Sequence, residues 1–432
     1  MRPVILRDIE ERIATPSPEG FVYPRYGGYC FSSIPSAVGC MLGQRKTTSL
    51  SAILDRAGVE PSQPLTVISF LIDGFGYRQW IEYAGRYEFL HRLTEKGVVA
   101  PLTAVFPSTT AAALTTIHSG LTPQQHGLPE WWVYFEELGQ IVVTLPFSPL
   151  AGQIQDELLL YGADPEMLFH GKTIYDKLAR SGVPSFSLIH TPISGSAYSS
   201  VVMAGSEVMP FKDAPDLMHK LLDKVSEQRG PAYFQVYWGA IDSAAHEHGV
   251  HSSDYLAELD KFFTPLSKDF LDRFPASKSR QTVMLVTADH GQINVDPKET
   301  LYLDQYPQLT QCLRTGRDKR SILPWGSARD VFLATEVGKV EDAFQFLSTA
   351  LKDRATVVRA DDALGQGLFG AGKLHQGFKS RIGDILILPR GNLTLWYSRP
   401  GHERFKLLGM HGGLSSDEML VPFAVAKMSD LT

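Results

Sequence analysis

Val67-Ile68-Ser69-Phe70-Leu71-Ile72-Asp73-Gly74-Phe75-Gly76 is the stretch that decides the fold. Its first six residues carry no charge, are rich in β-branched and aromatic types, and stand between Pro64 and Gly74. That pattern predicts a strand buried on both faces of a parallel sheet. Asp73 then falls at the carboxyl end of the strand, the edge at which open α/β sheets bind ligands. A carboxylate desolvated there needs a cation or several donors to offset the cost, or else it caps a following helix.

Two later runs repeat the arrangement. Tyr233-Phe234-Gln235-Val236-Tyr237-Trp238 leads into Gly239-Ala240-Ile241-Asp242-Ser243-Ala244-Ala245-His246, and Thr282-Val283-Met284-Leu285-Val286-Thr287-Ala288 ends in Asp289-His290-Gly291. Asp242 and His246 are four apart, so a continuing helical turn projects carboxylate and imidazole from one face. Ahead of both, after the first stretch, lies Phe106-Pro107-Ser108-Thr109-Thr110-Ala111-Ala112-Ala113, a proline-broken strand end, a hydroxyl cluster and an alanine-rich helix start. Thr109 and Thr110 therefore sit at a helix N-terminus, either as caps or beside an anion. Late in the chain, Gly409-Met410-His411-Gly412-Gly413 presents a histidine flanked by glycines.

Around these stretches helix and strand patterns alternate, with helices expected near 77–96, 171–179, 214–227 and 254–272. The predicted fold class is α/β, a central and largely parallel sheet flanked by helices, with a smaller inserted cap. Residues 1–297 form the main part, opening on an irregular arm over 1–62 that is rich in Gly and Pro. Residues 298–375 lose the alternation and form the cap, and 376–432 return to the main domain through Asp384-Ile385-Leu386-Ile387-Leu388-Pro389.

Composition narrows the function. With 432 residues, 44% of them hydrophobic and 20% charged, the chain is an ordinary globular protein large enough for one domain with an insertion. A net charge of -6 offers no basic surface for a nucleic-acid backbone, so polymeric nucleic acid is not an expected partner. Cys30, Cys40 and Cys312 are odd in number and lack CxxC spacing, which argues against a disulfide framework and a thiolate zinc site. No run reaches the roughly 18 apolar residues of a membrane span, and acids interrupt the first residues, so no membrane association and a cytoplasmic location are expected.

Taken together, the strand ends and the late loop offer Asp73, Thr110, Asp242, His246, Asp289, His290 and His411. These oxygen and imidazole donors suit two divalent metal ions, zinc foremost and manganese as an alternative. The motifs DGFG, FPSTT, DxxxH, DHG and HGG, in that order, resemble those of the alkaline phosphatase superfamily and within it the nucleotide pyrophosphatase/phosphodiesterase branch. The resemblance runs from about Thr66 to the C-terminus. It implies Asp242, His246 and His411 on one metal, and Asp73, Asp289, His290 and the Thr110 hydroxyl on the other. Thr110 rather than Thr109 matches the family nucleophile, being the fourth residue after Phe106. A threonine hydroxyl is a weak nucleophile at neutral pH, and a cation beside it stabilises the alkoxide. Three carboxylates and one alkoxide also balance the four charges of two divalent ions.

The family's aromatic residue after the nucleophile, and its asparagine three positions on, are Ala111 and Ala113 here. The resemblance thus speaks for the hydrolytic chemistry ahead of nucleobase recognition. The expected function is a metal-dependent phosphodiesterase or pyrophosphatase acting on a small-molecule phosphate ester or anhydride. Alternatives are a phosphonate or phosphomonoester hydrolase with the same site, and a non-catalytic binding protein that keeps the fold. The cluster Pro129-Glu130-Trp131-Trp132-Val133-Tyr134-Phe135 either lines a leaving-group pocket or packs beneath a loop. His126 and His248 are secondary candidates. Arg317, Lys319, Arg320 and Arg329 in the insertion form a solvated face or supply an arginine to a substrate anion.

Overall fold

The computed structural model describes residues 4–44, 46–60, 65–152, 154–399 and 401–432; Pro64 and residues 1–3 lie outside these. Eight strands build the central sheet: β1 (Val4–Ile5), β2 (Thr66–Ile72), β3 (Val98–Thr103), β4 (Ser185–His190), β5 (Glu207–Phe211), β6 (Tyr233–Trp238), β7 (Thr282–Thr287) and β8 (Leu420–Lys427). Their order across the sheet is β1-β3-β8-β7-β2-β6-β4-β5, and only β8 runs against the others. All seven residues of β2 are buried, as an uncharged run covered on both faces requires. In register, Leu71 stands between Thr287 and Tyr237, so the carboxyl ends of β2, β7 and β6 open at one edge.

Helices cover the faces. Ala214–Glu227 matches its expected bounds, while the pattern over 77–96 divides into Tyr77–Tyr83 and Glu88–Lys96. Gly85 lies in the break, where its low helix propensity favours a turn. The N-terminal arm is more regular than its Gly and Pro content foretells. It holds helices Arg7–Ile13, Ile34–Met41 and Ser51–Arg56, and Pro35 falls in the first helical turn, where its missing N–H costs nothing.

A second, four-stranded sheet orders Trp325–Gly326, Val331–Leu333, Ile385–Pro389 and Ala355–Arg359. It has its own core, including Leu303, Leu347, Leu351, Ile385 and Leu395. Ile385–Pro389 is an inner strand of this sheet, so the run from Asp384 does not carry the chain back to the central sheet. That return comes at β8. Among the described residues no helix is long and apolar enough to cross a membrane.

Candidate functional site

Each acid at the open edge is held by its own strand end. Asp73 follows β2, and Gly74 turns the chain with a φ of 69°. A Cβ on Gly74 would stand 3.1 Å from the Asp242 side chain, so only glycine allows both acids this close. Asp289 follows β7, and its Oδ1 accepts from the N–H groups of Gly74 and His290 at 3.1 and 3.0 Å. Asp242 and His246 lie on helix Ala240–His248, with Asp242 Oδ2 3.3 Å from His246 Nε2. Thr110 begins the buried helix Thr110–Ser119. Thr109 is the residue before it but makes no side-chain cap. Its hydroxyl instead donates to the Pro129 carbonyl at 3.2 Å. His411 is brought in by the late glycine loop, which is tied to Ser108 by bonds from Gly412 N–H and to the Gly413 carbonyl.

All seven expected residues converge. His290 Nε2 is 3.3 Å from Asp289 Oδ2, 3.4 Å from Asp73 Oδ1 and 3.2 Å from Thr110 Oγ1. His411 Nε2 is 3.7 Å from Asp242 Oδ1, and its ring stacks on that of His290 with centroids 3.6 Å apart. Asp242, His246 and His411 each place a donor atom within 4.8 Å of the others, and so do Asp73, Asp242 and His290. Asp242 therefore stands between the two groups.

The donor chemistry identifies what this arrangement suits. The three imidazoles donate through Nδ1 to backbone carbonyls: His290 to Gly291 at 3.1 Å, His246 to Gly409 at 2.7 Å and His411 to Ser108 at 2.9 Å. Such bonds fix the tautomer and turn Nε2 inward. Burial holds His290 down at about 3, and burial with the neighbouring His290 holds His411 well below its ordinary value, so both rings are neutral and expose a lone pair. Facing them, Asp73 Oδ1, Asp242 Oδ1 and Asp289 Oδ2 are buried oxygens with no hydrogen-bond partner among the described residues. Burial raises Asp73 and Asp289 above the usual carboxylate range, and the charges of Asp289 and Asp242 push Asp73 further. Buried acceptors converging on lone pairs are a costly arrangement unless a cation lies among them. The residues fit divalent metal ions.

Further residues complete the site, and Tyr237, Ser327, Asp330 and Glu418 among them were not foreseen. The Tyr237 hydroxyl donates to Asp73 Oδ2; its signal was its place next to last on β6, in register with Leu71. Glu130 and Asp330 are fully buried carboxyls that face each other, and Ser327 bonds Asp330 and reaches the His411 carbonyl at 3.4 Å. Arg329 is 1% exposed and forms a two-bond pair with Glu418 at 2.9 Å, so it lies on no solvated face, whereas Arg317, Lys319 and Arg320 are exposed. Glu418 also accepts from Gly413 N–H at 3.0 Å, bracing the His411 loop. No sequence spacing links these partners. His126 lies in the core, bonded to Thr116 and Leu128, and His248 is exposed beside Glu247; neither joins the donor groups.

A family model described as type I phosphodiesterase / nucleotide pyrophosphatase matches residues 67–414. No curated protein matches the chain by sequence. Among solved structures, murine ectonucleotide pyrophosphatase / phosphodiesterase 5, an inactive variant in complex with AMP, is 17% identical with a TM-score of 0.62, covering 83% of this chain and 87% of its own. The human counterpart is 18% identical with a TM-score of 0.59, covering 84% and 87%. Phosphonoacetate hydrolase from Sinorhizobium meliloti 1021, in complex with phosphonoacetate, is 17% identical with a TM-score of 0.61, covering 84% and 91%. These likenesses show the alkaline phosphatase-like fold. With its motifs, fold and donor cluster inside the matched region, the chain belongs to the type I phosphodiesterase / nucleotide pyrophosphatase family of phosphoester-hydrolysing enzymes.

Proposed function

We propose that the protein is a metal-dependent phosphodiesterase or pyrophosphatase that cleaves a small-molecule phosphate ester through Thr110. The observation that carries this reading is the set of three unpartnered buried carboxylate oxygens around neutral imidazoles, with the Thr110 hydroxyl at their edge. Asp242, His246 and His411 would hold one divalent ion, zinc or manganese, and Asp73, Asp289, His290 and Thr110 a second. Such ions lower the cost of a threonine alkoxide and of charge on the phosphoryl oxygens.

The chain's own residues do the rest. Thr110 Oγ1 lies 3.2 Å from His290 Nε2, the atom that would hold the second ion, so the hydroxyl reaches the same place and gives its proton to water. Thr110 Oγ1 attacks phosphorus, the alcohol leaves, and water then releases the phosphoryl group from the threonine. The N–H groups of Thr110, Ala111 and Ala112 precede the first bond of the helix, from Ala113 N–H to the Thr109 carbonyl at 2.9 Å, and donate to phosphoryl oxygens, in place of the asparagine whose position is Ala113. The insertion 298–375, whose Ser327 reaches the His411 carbonyl at 3.4 Å, would cover the site as a cap.

The AMP complex of the inactive murine variant, and the phosphonoacetate complex of the bacterial hydrolase, support a small phosphorus-containing substrate. A phosphonate hydrolase is the second reading. It is favoured by Ala111, which is buried and offers no ring to stack on a nucleobase. Diester, monoester, anhydride and phosphonate substrates assayed after chelation and after return of zinc or manganese test both readings. Hydrolysis restored by metal is expected, with the diester or anhydride fastest; fastest turnover of the phosphonate selects the second reading, and metal-independent turnover contradicts both.

A further inference from the structure

The N-terminal arm lies outside the matched family region, which begins at residue 67, yet residues 21–30 are bonded to both loops that bring donors to the site. Val22 N–H donates to the Leu414 carbonyl at 2.7 Å, three residues past His411. Arg25 N–H donates to Thr103 Oγ1 at 2.9 Å, and the Tyr29 carbonyl accepts from Thr103 N–H at 3.0 Å, so the arm runs beside the carboxyl end of β3. The Tyr26 hydroxyl oxygen accepts from Phe106 N–H at 3.0 Å, four residues before Thr110. One short stretch of arm therefore holds the segment of Thr110 and the loop of His411.

Those two segments also meet directly, at Ser108. Its hydroxyl donates to the Gly413 carbonyl at 2.8 Å, and its carbonyl accepts from His411 Nδ1 at 2.9 Å. Bonds that converge on one residue let the segments pivot about it, and the arm's bonds at Phe106 and Leu414, on either side, remove that freedom. Among the arm's bonds to Leu414, Thr103 and Phe106, only that of Tyr26 uses an arm side chain. The Tyr26 ring packs on the main core, so phenylalanine there keeps the packing and loses the acceptor. The Phe106 amide is then left without its partner, which is unfavourable and shifts the segment that leads to Thr110. Thr110 Oγ1 stands 3.2 Å from His290 Nε2, and displacing a reacting group by about 1 Å costs about 100-fold in rate.

We propose that Tyr26 is a positioning residue for Thr110: through Tyr26 at Phe106 and Val22 at Leu414, the arm sets the Thr110 segment against the His411 loop. Tyr26 acts on the reaction only through Phe106. Its effect on rate rests on the phosphoester-hydrolase reading, whereas its effect on the order of the Thr110 segment does not.

The test compares wild type, Tyr26→Phe and Thr94→Val on a 4-nitrophenyl phosphodiester with metal restored. Thr94, on helix Glu88–Lys96, is bonded to Trp80 Nε1 at 3.2 Å and to the Leu90 carbonyl at 2.8 Å, none of them a donor of the site. Its variant reports the loss of a buried bond alone, with a lower Tm and an unchanged kcat. In Tyr26→Phe kcat falls about 10-fold, with KM and metal content unchanged. A wild-type kcat in Tyr26→Phe, an effect confined to KM, a rate that extra metal restores, or an equal fall in Thr94→Val overturns the proposal. If wild type with metal cleaves no phosphorus ester, the hydrolase reading fails, and the arm is judged by amide hydrogen exchange of metal-free protein. Faster exchange over residues 106–113 in Tyr26→Phe, with β4 unchanged, supports the positioning role, and unchanged exchange over 106–113 overturns it.

Discussion

The Nε2 atom of His290 stands 3.2 Å from the Oγ1 atom of Thr110, across 180 residues of sequence. Since the Nδ1 hydrogen of His290 is committed to the Gly291 carbonyl, the threonine meets a lone pair and not a hydrogen. The same lone pair faces two buried carboxylate oxygens, Asp73 Oδ1 at 3.4 Å and Asp289 Oδ2 at 3.3 Å. One atom therefore links the hydroxyl to the acids.

If those acids hold metal, their loss removes it. Asp289→Ala and His411→Ala are expected to lower metal content below the about two ions per chain of a two-metal site, along with the rate. His248→Ala, on the exposed end of helix Ala240–His248, is expected to retain nearly full occupancy. Elemental analysis of reconstituted proteins checks both.

Tyr237 acts through Asp73. Tyr237→Phe removes the hydroxyl that bonds Asp73 Oδ2 and is expected to weaken metal binding about 10- to 100-fold. Competition with a chromogenic chelator measures it, and unchanged affinity would show that the bond does not orient Asp73.

The Glu130–Asp330 pair makes a pH-dependent prediction. Burial raises both acids, and the charge of Glu130 raises Asp330 further. Because the folded pKa of Glu130 lies above its ordinary 4.5, the folded state retains a proton that the unfolded chain gives up. Stability is therefore lost as pH climbs past that ordinary value. Glu130→Gln removes this loss, so its Tm relative to wild type is expected to rise between about pH 5 and about pH 8. A constant difference contradicts the assignment.

Arg329 braces the loop that carries His411. Arg329→Met leaves Glu418 buried and unpaired, which is expected to cost about 3–5 kcal/mol in denaturant unfolding. Restoring neutrality with Glu418→Gln in the same chain is expected to recover part of that.

Much of this site is legible in the sequence because its donors follow chemical punctuation. Asp73, Asp242 and Asp289 each come at or soon after the end of an apolar run, and parallel strands bring such ends to one edge. Helix Ala240–His248 preserves the four-residue spacing of Asp242 and His246. What the sequence hides is pairing across distance. Arg329 and Glu418 are 89 residues apart, and nothing local marks either as buried. The strand Ile385–Pro389 is uncharged like those of the central sheet, and only its partners assign it to the smaller one. Thr109 reads as a cap, yet its hydroxyl goes to Pro129, 20 residues on, a partner that no local pattern marks.

The most direct measurement is the metal-restored hydrolysis of a 4-nitrophenyl phosphodiester by wild type, Thr110→Ala, Thr110→Ser and Thr109→Ala. A threonine at a helix start contributes only about 0.5–2 kcal/mol as a cap, so the variants are expected to fold. Thr110→Ala is expected to lose roughly three or more orders of magnitude in kcat, as removal of a nucleophile does. Thr110→Ser keeps a measurable part, and Thr109→Ala loses little beyond its bond to Pro129. Near wild-type activity in Thr110→Ala, with Thr109→Ala inactive or equally active, contradicts the account.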